Sequence, residues 1–126
     1  MASLALQAQV AVVVNKSVAA GSLDAAQLKD IFSLETTKWS DGSSITVFVL
    51  KGNDAVQDKF YGFIGENAIG LKKVWMKAQL TGEAKAPKAL GSDAEVISKV
   101  ASTPGAIGFV SAGSVSDAVK VVATIQ

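Results

Sequence analysis

The segment Lys51-Gly52-Asn53-Asp54-Ala55-Val56 joins the end of an apolar, β-branched run to the start of a helix-spaced one. At such a junction the first helical N–H groups have no intrahelical partner and the helix dipole favours negative charge, so the chemistry on offer is oxyanion binding. Lys51 adds a cation, Gly52 lets the backbone approach a ligand, and Asn53 or Asp54 can cap the helix. These six residues are the candidate ligand site. An ordinary capped turn is the competing reading, because Asp54 sets a carboxylate of the chain itself where an anion would sit. Lys51 is a point charge without the bidentate fork of arginine.

Other chemistries are closed off by inventory. The chain has no His and no Cys, and all 12 of its basic residues are lysine. Imidazole and thiolate metal sites, cysteine nucleophiles and histidine bases are thereby excluded. Asp24, Asp30, Asp41 and Asp58 lack the spacing of a calcium loop, so no metal is expected. No glycine-rich nucleotide motif is present and no nucleophile has a visible base, which marks a non-enzyme without a cofactor. Twelve basic against 11 acidic residues leave a net charge of +1, too little for a phosphate-neutralising footprint, so nucleic acid is not an expected partner. Lys72, Lys73, Lys77, Lys85 and Lys88 outnumber Glu83 in their stretch and can draw an acidic partner. Three of them fall opposite an apolar helix stripe, where a solvated face is the plainer explanation.

The elements that position these residues follow from periodicity. Val10 to Val14 reads as a strand covered on both faces. A helix capped at Ser22, with Asp24 in its first turn, buries Leu28, Ile31 and Phe32. Lys38 to Gly42 is a turn and Ile45 to Leu50 a second strand, followed by a helix with Val56, Phe60, Phe63 and Ile64 at helical spacing. Asn67 caps a helix whose stripe is Leu71, Val74, Trp75 and Ala78. Thr81 to Gly91 reads as a loop, and Ser92 to Glu95 as a capping box opening a helix with Val96, Ile97, Val100 and Ala101 inward. Ala106 to Val110 is a third strand and Val119 to Ile125 a fourth. Trp39 and Trp75 are expected as core or rim aromatics. Strands separated by helices predict an α/β fold, a single three-layer lobe with a mainly parallel or mixed sheet flanked by helices. Ligands in such sheets bind beyond the carboxyl ends of the strands, which again selects Lys51 to Val56.

A chain of 126 residues is one domain's worth. Its 49% apolar content and mean hydropathy of +0.35 exclude disorder. No apolar run approaches the ~18–20 residues of a membrane-spanning helix. Residues 9–126 are read as the domain. Residues 1–8 are open to two readings: the remnant of a secretory signal with cleavage before Gln9, or an extended N-terminal strand. The alternation of Leu4, Leu6, Ala8, Val10 and Val12 supports the strand, which can add to a neighbour's open sheet edge and link copies together.

Three further pieces are informative in their order. Val12-Val13-Val14-Asn15 closes the first strand. Leu23-Asp24-Ala25-Ala26-Gln27-Leu28-Lys29-Asp30-Ile31-Phe32 precedes Thr37-Lys38-Trp39, and Thr103-Pro104-Gly105-Ala106-Ile107-Gly108-Phe109-Val110 comes last. This order resembles the phosphate-binding proteins of ABC-type uptake systems, and more closely the short single-lobe proteins grouped with them. The resemblance implies a type II periplasmic-binding-protein lobe, exported to a periplasmic or extracellular location. The family's phosphate binders end the strand equivalent to Ile45 to Leu50 in an arginine and follow it with Ser-Gly-Thr. Counting back from Phe60, Leu50 stands at the arginine, and Asp54, Ala55 and Val56 stand at Ser-Gly-Thr. The resemblance therefore implies an eroded anion site. Full-length members close on the anion between two lobes, and this chain has the length of little more than one.

Two functional classes result. One is a secreted, non-enzymatic binding module of the phosphate or oxyanion type. The other is a structural subunit that self-associates into oligomers or filaments through its N-terminal strand.

Overall fold

The computed structural model describes residues 9–52 and 55–126. The chain runs β1 (Val10–Val14), α1 (Ala25–Phe32), β2 (Thr46–Leu50), α2 (Ala55–Phe63), α3 (Ala68–Thr81), β3 (Lys88–Leu90), α4 (Asp93–Ser102), β4 (Ala106–Ser111), a 3₁₀ turn (Ala112–Ser114) and β5 (Lys120–Ile125). The strands form one five-stranded sheet ordered β3-β2-β4-β1-β5. β2 pairs in parallel with β3 and β4, while β1 pairs antiparallel with β4 and β5. β1 alone runs against the rest, which makes the sheet mixed but mainly parallel in direction.

All five β1 residues are buried, as the unbroken run of β-branched side chains requires of a strand covered on both faces. Val10 and Val12, expected in an assembly strand, sit in this interior strand with β4 on one side and β5 on the other. Leu4, Leu6 and Ala8 lie outside the described residues. Asn15 ends the strand and fastens it to α4, its Nδ2 donating to the carbonyls of Val100 (2.8 Å) and Ala101 (3.1 Å). Its Oδ1 accepts from the Ser17 amide. A buried amide with this many partners costs nothing in unmet hydrogen bonds and fixes one end of the sheet.

β4 is the hinge of the packing. Phe109 on one face meets Phe60 at 4.6 Å between ring centroids, and Phe32 closes the cluster at 4.7 Å from Phe60. On the other face Gly108 admits α4 so closely that a Cβ there would lie 2.7 Å from Val96 Cγ1. Helices α1 and α2 thus cover one face and α4 the other, the three layers expected of the fold class. Gly105, at the strand's entry, has φ +79°, and a Cβ on it would fall 2.4 Å from the Ser44 carbonyl oxygen. Its own carbonyl accepts from Trp39 Nε1 (2.9 Å) and from the Thr46 amide (3.3 Å), tying β4 to the start of β2.

Several boundaries differ from expectation. The α1 cap is Asp24, not Ser22: its carboxylate accepts from the Gln27 amide while the Gln27 side chain accepts from the Asp24 amide. A reciprocal pair satisfies two orphan amides where Ser22 would satisfy one. In α4 the Ser92 hydroxyl accepts from the Glu95 amide as predicted, but the Glu95 carboxylate reaches Gly91, one residue further back. The stretch from Thr81 to Gly91 is not all loop, for it contains the last residue of α3 and the short edge strand β3. In α3 only Leu71 and Trp75 are buried, while Val74 is exposed and Ala78 half-buried. Trp75 joins the helix to its neighbours, its Nε1 donating to the Phe32 carbonyl at the end of α1 and its ring meeting Tyr61 of α2.

Candidate functional site

The predicted site lies where β2 hands over to α2, at the carboxyl end of its strand. Lys51 is exposed, and its backbone amide donates to the Leu90 carbonyl of β3 at 2.9 Å. Gly52 turns the chain with φ +74°, a left-handed conformation that suits glycine. Asn53 and Asp54 lie outside the described residues. Ala55 and Val56 begin α2. The structure places Lys51, Gly52, Ala55 and Val56 at the turn from β2 into α2.

Behind that junction stands a residue that sequence reasoning passed over. Gln57 is 5% exposed. Its Oε1 accepts from the Leu50 amide and from the Tyr61 hydroxyl, each at 3.0 Å, and its Nε2 donates to the Gly52 carbonyl at 2.9 Å. The side chain cross-links the end of the strand to the turn. Two strand-end amides are thus engaged inside the protein, Leu50 by Gln57 and Lys51 by the Leu90 carbonyl, and neither is spare for an oxyanion.

Tyr61 completes this arrangement from below. Burial pushes its phenol well above the usual tyrosine range, and the neighbouring Asp58 carboxylate pushes it further in the same direction. The ring is an edge-on partner of both Phe109 and Trp75. The inward face of α2 is therefore Gln57, Phe60 and Tyr61, continued by Ile64 just past its end, and Phe63 is exposed. That face has the i, i+3, i+4, i+7 spacing of a helix stripe. A glutamine at its head was the available signal. Among the described residues no group of His, Cys, Asp or Glu could hold a metal ion.

The family model of the PBP superfamily domain matches residues 2–124. The chain belongs to that family. This PBP superfamily domain shares its fold with three solved structures. One, from Clostridium perfringens, is assigned as a phosphate ABC transporter substrate-binding protein with bound phosphate. It superposes with a TM-score of 0.75 at 22% identity, covering 91% of this chain and 45% of that one. An ABC-type phosphate transport receptor from Vibrio cholerae gives 0.67 at 22% identity, covering 92% and 46%. PstS from Borrelia burgdorferi gives 0.68 at 15% identity, covering 98% and 53%. The PBP superfamily domain spans about half the length of these structures. No curated protein matches it. Among the described residues no helix is long and apolar enough to cross a membrane.

Proposed function

We propose that this chain is an exported, non-enzymatic solute-binding-type lobe, periplasmic or extracellular, whose oxyanion site at Lys51 to Val56 is eroded. One observation carries the proposal: Gln57 takes up the Leu50 amide and the Gly52 carbonyl, so at the strand end these groups are satisfied from within. The absence of arginine supports it, because no side chain can supply a bidentate clamp on a tetrahedral anion. Asp54, by sequence at the head of α2, adds repulsion. Calorimetric titration with inorganic phosphate tests the reading. Wild type should give no saturable heat in the micromolar range, and Asp54→Ser should bind phosphate several-fold more tightly than wild type. Micromolar binding by wild type would overturn the erosion, and an unimproved Asp54→Ser would overturn the site.

A second reading, a self-associating structural subunit joined through Leu4, Leu6 and Ala8, with Val10 and Val12 already committed to the interior strand β1, draws support from a different observation. Ile69, Met76 and Leu80 stand on the outer side of α3 at 71%, 62% and 80% exposure, an apolar stripe with no cover among the described residues. Light scattering across a concentration series decides between the two. A constant monomer or dimer mass favours the binding lobe, and a mass that grows with concentration favours assembly.

A further inference from the structure

The two ends of β2 differ in kind. Its carboxyl end is closed by Gln57, whereas its amino end opens into a cavity of about 340 Å³. The cavity has a topological cause. The ladder between β2 and β3 begins only at the pair Phe48 and Lys88, and upstream of it the space between residues 45–47 and 83–87 is left unfilled. On the opposite wall the Ile45 amide donates to the Thr37 carbonyl at 3.0 Å, and Lys38 bridges Ser44.

The lining pairs an apolar wall with excess positive charge. Ile45, Val47 and Ala86 supply the first; Lys38, Lys85 and Lys88 supply the second against one acid, Glu83. Glu83 already accepts from the Thr81 hydroxyl at 2.9 Å. Among the described residues none of the three lysines is in an ion pair. An apolar wall beside an excess of ammonium groups favours a ligand with both characters. An inorganic oxyanion would gain nothing from the wall, and lysines without a fork do not select its shape. The volume stands at the lower end of the ~300–1,000 Å³ of small-molecule sites.

We infer that this cavity binds a small amphiphilic carboxylate, its apolar body against Ile45, Val47 and Ala86 and its head among Lys38, Lys85 and Lys88. The site is separate from the Lys51 to Val56 junction and does not depend on what that junction binds.

Nitrogen-15 NMR titrations of the full chain with hexanoate, hexanol and inorganic phosphate test the inference. Hexanoate should cause saturable shifts at residues 36–38, 44–47 and 84–88, and hexanol should bind several-fold more weakly. Ala86→Trp, which fills the cavity, should abolish the saturable shifts while the circular dichroism spectrum stays that of wild type. Should Ala86→Trp not fold, the Lys38→Ala/Lys85→Ala double variant should still weaken hexanoate several-fold. Shifts that never saturate, that fall instead on the lysines of α3, or that persist undiminished in a folded Ala86→Trp would overturn the inference. Phosphate moving the cavity residues as strongly as hexanoate would overturn it too.

Discussion

β4 and α4 approach each other with no room for a methyl group at Gly108, whereas α3 buries only Leu71 and Trp75 of its 14 residues. The first region carries the phrase that most resembles the phosphate-binding proteins, Pro104-Gly105-Ala106-Ile107-Gly108-Phe109-Val110. Its glycines are explained by contact distances within the lobe, to Ser44 in one case and Val96 in the other. A signature of this kind records how a scaffold is packed. It is silent about the ligand, so a clear family match leaves the chemistry of the β2–α2 junction to be argued from that junction's own residues.

The contrast between the tight and the loose region can be broken by substitution. Gly105→Ala should have the largest effect. It combines a positive φ, costing about 1–3 kcal/mol for a residue with a Cβ, with an overlap against backbone that cannot rotate away. A loss of about 3–5 kcal/mol in urea unfolding is expected. A loss under about 1 kcal/mol would mean the β4 entry is not the rigid point described.

Asn15→Ala comes next, at about 2 kcal/mol, because it strips the Val100 and Ala101 carbonyls of a buried donor. Hydrogen exchange should quicken at the carboxyl end of α4 and leave α3 unchanged. Matching acceleration in α3 would show that the two regions open together.

Tyr61 touches both, through Phe109 on β4 and Trp75 on α3. Tyr61→Phe should cost about 1 kcal/mol by removing the hydroxyl bond to Gln57. It is the sole tyrosine, so tyrosinate absorbance reports on it alone. Its folded-state pKa is raised, so the neutral form is favoured by folding. The associated stability is complete below the unfolded phenol value of ~10 and is lost as pH rises above it. Absorbance at high pH should therefore appear together with loss of circular dichroism. A tyrosinate signal in the intact fold would place the ring in solvent.

Leu80→Lys should change stability least, within about 0.5 kcal/mol, since the side chain is 80% exposed. A larger loss, dependent on protein concentration, would reveal that the stripe is covered by another copy.

Much of the fold was legible because long-range burial leaves a local trace. The β-branched run of β1, the Asn67 cap and the Phe60 and Phe109 positions all speak through periodicity or side-chain chemistry. β3 did not, because three residues with one buried side chain carry no period, and Pro87 before them resembles a loop. The reversed direction of β1 was not legible either, for it depends on where the strand is inserted, not on what it contains. At the candidate site the junction was readable from the strand-to-helix switch. Gln57 was not, because a polar residue on a helix is expected to face water until its partners, Leu50 and Gly52, are known.

The interior position of β1 also bears on the order in which the molecule is made. Val10 pairs with Ile125, at the far end of the domain, and no β1 residue finds its neighbours before β4 and β5 exist. Contacts so distant along the chain close slowly and late. The centre of the sheet therefore waits for the last strand, and β1 stays without its neighbours on a growing chain until residues 106–125 have joined it.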